Sequence, residues 1–262
     1  MKKTVKKTLL ALLSFIIVLT LASCGKEDPA KVWEEAMAKN AALTDMDAAM
    51  EMNMEMEAEG EKMSIAMNLE MKMNRINTDE MCYAADTEMN MKVEDMDFDI
   101  DGSTYYVDGY CYTEMMGQKM KYAMDLDTMM KSIEQNNLAS GLDTGSMKNL
   151  SMKKDGDNRI LIYTADPEAM SDGIEGIMDI MNGQLAMLGG MDIQMNVKEI
   201  KGECTINQEG YMTKSVMAMS FEMEIEGMLC TVTADTITEV KNPGQPVEVT
   251  IPDLSGFKEI SY

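Results

Sequence analysis

The chain has 262 residues, with 46 Asp and Glu against 23 Lys and Arg, no His and 34 Met. A net charge of −23 argues against binding to a phosphate backbone, which needs clustered cations. The absence of His excludes His-based triads, His-ligated zinc and imidazole acid–base chemistry, and a 45% hydrophobic content argues against global disorder.

Residues 1–24 carry an address. Lys2, Lys3, Lys6 and Lys7 form a positive segment, and Leu9 to Leu21 is an apolar run broken only by Ser14 and Thr20. That run is short for a membrane span and suits the apolar region of a signal peptide. It ends in Leu21-Ala22-Ser23-Cys24-Gly25, which resembles the lipobox of bacterial lipoproteins. The resemblance implies cleavage before Cys24 and acylation of that cysteine. The expected organisation is therefore a cleaved leader (1–23), a lipidated tether (24–27) and a single domain (28–262). Loss of the leader removes its lysines and leaves the mature chain more acidic still. Such a chain is repelled by anionic headgroups, so the acyl chains of Cys24 are its expected hold on the membrane.

Export places the remaining cysteines, Cys82, Cys111, Cys204 and Cys230, where disulfides are permitted. Sequence-local pairs, 82 with 111 and 204 with 230, are expected, with buried free thiols as the alternative.

The mature chain opens with a predicted helix over Glu27–Leu43, capped by Asp28, with Pro29 at its first position. Val32, Trp33, Ala36, Met37 and Leu43 supply its apolar stripe, and Trp33 reads as a packing anchor. From Met46 the period changes to two. Met46 to Ala58 and Met63 to Met73 predict two long antiparallel strands joined near Gly60, methionine on one face and Asp, Glu and Asn on the other. Shorter strands follow at Met81–Ala85 and Met89–Val93, and a parity flip at Glu94 marks a turn or bulge. Asp101-Gly102 and Asp108-Gly109 read as hairpin dipeptides flanking Tyr105 and Tyr106.

A short helix is expected over 125–138, and a hairpin across Lys154–Asp157 leading into Arg159–Thr164. A third helix is expected from Asp166 to Leu188. Three closing strands are expected, one beginning at Met191–Val197, then Met217–Ile225 and Met228–Val240, and a Pro-containing extended tail ends the chain. The pattern predicts one α+β domain, a long antiparallel sheet with two to three helices.

Methionine stands on these strands where Val and Ile would be usual. Being unbranched and polarizable, it makes an adaptable lining that suits an acyl chain, or it simply fills a core against the helices. Met52, Met54, Met67, Met71, Met217, Met219, Phe221 and Met223 are the candidate lining residues. Cu(I) binding through Met-x-Met pairs and an oxidant-sink role are weaker alternatives, since the methionines spread evenly and no His supports a copper site. Asp97, Asp99, Asp101, Gly102 and Asp108 match part of a calcium-loop spacing, but alternating strands flank them, so a solvated polar face is the better reading. No metal or cofactor site is expected, and no catalytic constellation is present.

In order and pattern the chain resembles the LolA-like lipoprotein-carrier group, which includes LolA, LolB and the mycobacterial lipid-binding lipoproteins. It also resembles Met-rich surface lipoproteins of Firmicutes. The lipobox and the succession of capped helix, long alternating strands and intervening helices over residues 28–240 carry this resemblance. It implies a curved, half-open β-barrel with helices on its concave side, enclosing an apolar cavity. The implied protein is a monomeric, non-enzymatic lipoprotein, anchored in the cell membrane through its N-terminal diacylglyceryl (palmitate-type) cysteine on the extracytoplasmic face and binding a hydrophobic or lipid ligand. The alternative is a surface lipoprotein that engages a partner and carries nothing.

Overall fold

The structure, a computed structural model, describes residues 27–93, 96–135, 144–168, 193–225 and 228–260. The leader, the lipobox with Cys24, and most of the expected third helix (169–188) lie outside the described residues. The first helix, α1 (Pro29–Ala41), starts where the Asp28 carboxylate accepts from the Ala30 N–H at 3.1 Å. That bond satisfies one of the donors that a helix N-terminus leaves free.

Thirteen residues of strict alternation then form β1 (Met46–Ala58), and β2 (Glu61–Asn74) returns beside it. The two shorter strands expected next are one, β3 (Cys82–Val93). Thr87 interrupts the apolar alternation, but the backbone pairing continues through it. β4 (Met96–Val107) contains Asp101-Gly102 in mid-strand, so that dipeptide is not a turn. A Cβ on Gly102 would stand 3.3 Å from the Glu114 carbonyl oxygen, a tight approach that glycine relieves. Asp108-Gly109 is a turn as expected, with φ of 53° and 76°. It leads to β5 (Tyr110–Met115) and β6 (Gln118–Ala123), two strands that the sequence pattern does not predict.

Helix α2 (Leu126–Gln135) follows, then the hairpin of β7 (Met147–Asp155) and β8 (Asn158–Ala165). β9 (Ile193–Ile206), β10 (Met212–Ile225) and β11 (Met228–Lys241) are long strands of similar length to β1 and β2. The tail ends in β12 (Lys258–Glu259), which pairs in parallel with β6.

The twelve strands of the described residues belong to one sheet, in the order β12-β6-β5-β4-β3-β2-β1-β11-β10-β9-β8-β7. Two meanders meet at its centre, where β1 lies antiparallel to β11 and Asp47 stands opposite Lys241. The sheet is open and curved, with β7 and β12 at its two edges. Directly paired residues point to the same face of a sheet. The register therefore places the methionines of β1, β2, β3 and β10 on one continuous face and their acidic neighbours on the other.

Both described helices pack on the methionine face, at separate places. Trp33, Val32 and Ala36 of α1 bury against Leu161, Tyr163, Ile200 and Cys204 of β8 and β9. Trp33 and Tyr163 meet edge to face with centroids 5.4 Å apart, so Trp33 is the anchor its position suggested. The Asn40 side chain fixes the far end of α1. Its amide donates to the Met212 carbonyl and accepts from the Met212 N–H, both at 3.0 Å. Met129 of α2 packs with Met73, Met81 and Tyr106.

The tail straps one end of the sheet. The Asn74 amide donates to the Val247 carbonyl at 3.2 Å, and the Ile260 N–H donates to the Lys121 carbonyl at 2.9 Å.

Candidate ligand-binding site

The register assembles the candidate lining. Following paired residues across the sheet gives a single rung: Tyr163, Gly202, Met217, Thr236, Met52, Met67, Met89 and Ile100. At ~4.8 Å between strands it runs roughly 34 Å. Met52, Met67 and Met217 thus share one line although they come from three distant segments. The neighbouring rungs join Met54 to Ala234 and Met219, and pair Phe221 with Val232. Met71 stands apart, between Ala48 and Ala85 nearer α2.

Burial along the rung is graded. Tyr163 and Met217 are buried under α1, whereas Met52, Met67 and Met89 are half-buried. Phe221 and Met223 are buried with Cys230 and Val232 in a second cluster, against which Met54 and Met56 pack. Among the described residues the methionine face is thus covered at two helices and half-buried between them.

Tyr163 is set in the covered part by its partner. A Cβ on Gly202 would lie 2.0 Å from the Tyr163 ring, so only glycine lets the ring lie across β9. The Tyr163 hydroxyl is buried and bonds to no described residue. Burial raises the phenol pKa of Tyr163 and pushes the neighbouring Cys204 thiol up to about 12, so both groups are protonated at neutral pH.

The opposite face contains an open groove of about 1130 Å³. Glu51, Glu70, Asp86, Glu88, Asp99, Asp101 and Glu114 line it, without any Lys or Arg. Four of these acids are held by neighbours: Asp86 accepts from the Ser103 hydroxyl and Asp99 from the Asn90 amide, both at 2.7 Å, while Lys241 pairs with Glu70 at 3.6 Å and Lys119 with Glu114 at 3.1 Å. The sequence reading treated these acids only as a solvated face. The signal that marks them is the alignment of acidic positions on consecutive strands, and that appears only once the register is known.

The four described cysteines are free thiols, and the two expected pairs are not formed. Tyr83 pairs with Tyr106 and Tyr106 with Cys111, so Cys111 shares a face with Tyr83, while Cys82 points to the other side. Cys204 and Cys230 share a face but stand opposite Ser215 and Met223 of β10, roughly 27 Å apart along the strand at ~3.4 Å per residue. A disulfide needs Cα atoms within about 7 Å. Among the described residues no helix is long and apolar enough to cross a membrane.

Residues 28–254 match the family DUF6612, a family of unknown function. The chain belongs to DUF6612. No curated protein matches it. Among solved structures, this DUF6612 chain is similar to LprF from Mycobacterium bovis, at 12% identity and a TM-score of 0.41, covering 88% of this chain and 99% of that one. It is also similar to the Mycobacterium tuberculosis lipoprotein LppX, at 8% identity and a TM-score of 0.37, covering 85% and 98%. A third similarity is to a β-barrel-like DUF1849 protein from Brucella abortus, at 7% identity and a TM-score of 0.29, covering 77% and 100%.

Proposed function

We propose that this DUF6612 member is an extracytoplasmic lipoprotein, held to the membrane by acylated Cys24, that binds a lipid or another amphiphile on its methionine face. The observation that carries this reading is the half-buried methionine rung between α1 and α2. A filled core would favour side chains of fixed shape, whereas flexible thioethers accommodate an occupant of variable shape. The mature chain acts as a single domain and works without cofactor or catalysis.

The test uses the chain from Gly25 onward, which retains every described element. Native and denaturing mass spectra of the natively purified protein, with lipid analysis of its organic extract, supply the first measurement. A reproducible adduct lost on denaturation, together with saturable binding of fatty-acid or phospholipid probes, is the expected result. Absence of both overturns the reading. A mass excess of one or two copper ions would favour a thioether metal site in its place.

The acidic groove favours a second reading, a surface lipoprotein that engages a partner through its polar face. A bare polypeptide mass with no probe binding moves the assignment to that reading.

A further inference from the structure

We infer that the Tyr163 hydroxyl is the polar anchor of the methionine face, donating a hydrogen bond to an oxygen on the head of an amphiphile whose chain lies along Met217, Met52 and Met67. This rests on the lipid-binding reading and adds to it a residue, an orientation and a ligand chemistry.

Three observations support the assignment. The first is the cost of the hydroxyl where it stands. Tyr163 is 1% exposed, and its Oη meets no described donor or acceptor. A buried hydroxyl without a partner costs about 1–3 kcal/mol, and phenylalanine would pack on Trp33 equally well without that cost. The second is position. Tyr163 occupies the β8 end of the rung that continues through Met217 and Thr236 to Met52 and Met67, so its hydroxyl is a fully buried polar point at the head of a line in which Thr236 is the other hydroxyl and methionine predominates. The third is the Gly202 gap, which seats the hydroxyl end of the ring above β9 on the side of Met217.

The chemistry selects the ligand class. A phenol O–H donates to a carboxylate, phosphate or ester oxygen, and a pure hydrocarbon offers no such acceptor. Tyr163 packs on Trp33 of α1, and the unbranched side chains of the same cluster that can shift for a head group are Met37, Met217 and Met219.

The experiment compares two fluorescent probes on the wild-type chain from Gly25 and on Tyr163→Phe. cis-Parinaric acid carries a carboxylate on a polyene chain; diphenylhexatriene is a hydrocarbon rod. Tyr163→Phe is expected to weaken parinaric acid binding about tenfold and to leave diphenylhexatriene binding unchanged. Its thermal midpoint should equal or exceed that of the wild type, because only an unpaired oxygen is lost, and this separates a binding role from a structural one. Equal parinaric acid affinity in the two proteins overturns the inference and leaves the lipid-binding reading standing, with Tyr163 serving a buried water at most. A parallel loss of both probes also overturns it, since that reports damage to the apolar line. Failure of the wild type to bind either probe overturns the inference, and where the mass spectra also show no lipid adduct it overturns the reading as well.

Discussion

The methionine face has two regions built differently. Beneath α1 the sheet presents Leu161, Tyr163, Ile200, Cys204 and Ile206, side chains of defined shape that are almost wholly buried. Across β1 to β3 it presents Met50, Met52, Met54, Met67, Met71, Met89 and Met91, all half-buried. Beneath α1 most of the buried side chains are branched or aromatic, whereas across the middle of β1 to β3 the face is almost wholly methionine; α2 rests on Met73 and Met81. The difference separates two tasks. The covered region specifies one packing, and the open region keeps an adaptable apolar surface.

Substitutions should reproduce that division, beginning with the largest effect. Trp33→Ala, in the covered region, should cost about 3–5 kcal/mol and appear as a large fall in the urea midpoint. A loss below about 1 kcal/mol would show that α1 contributes little and would break the comparison. Gly202→Ala should cost about 1–3 kcal/mol, since its methyl would overlap the Tyr163 ring. Pairing it with Tyr163→Ala should recover part of that overlap cost in a double-mutant cycle.

Alkaline pH should act on the same region. Burial raises the Tyr163 phenol and holds the Cys204 thiol at about 12 against 9.0 for a free thiol. The unfolded chain releases the Cys204 proton above about pH 9 and the Tyr163 proton above about pH 10, while the folded chain retains both. Stability is therefore complete below pH 9 and falls as pH rises toward 12, by up to about 1.4 kcal/mol per pH unit for each group. Urea midpoints that stay level from pH 8 to 11 would show that the covered region is wetter than its burial indicates. The smallest effect belongs to the open region. Met67→Ala should cost about 1 kcal/mol, below the 2–5 kcal/mol of a fully buried methionine, while weakening amphiphile binding measurably in a titration.

The two regions were not equally legible in the sequence. β1 begins and ends where the alternation from Met46 to Ala58 does, because an amphipathic strand records its own period. The first helix was equally readable from Asp28, Pro29 and Trp33. β3 read as two pieces because Thr87 occupies an apolar position, and β5 and β6 were missed because Tyr, Thr and Lys alternate there without a clear apolar face. The lining residues could be chosen from their faces. Their alignment into one rung depends on β1 meeting β11 and β9 meeting β8, pairings that local pattern does not encode. Tyr163 was unreadable for the same reason, since its setting depends on Gly202, which belongs to another strand.

The junction of β1 with β11 also bears on how the molecule folds. The two meanders can each form from hairpins between neighbouring strands, which close quickly. Their union cannot, because Asp47 must wait for Lys241. Closing so long a loop carries an entropic cost before any contact offsets it, and folding rates fall as such distant pairings accumulate. The two half-sheets should therefore appear early and the central seam last. Until that seam closes, β1 and β11 are unpaired strand edges, and this is the interval in which the nascent protein is most exposed to aggregation.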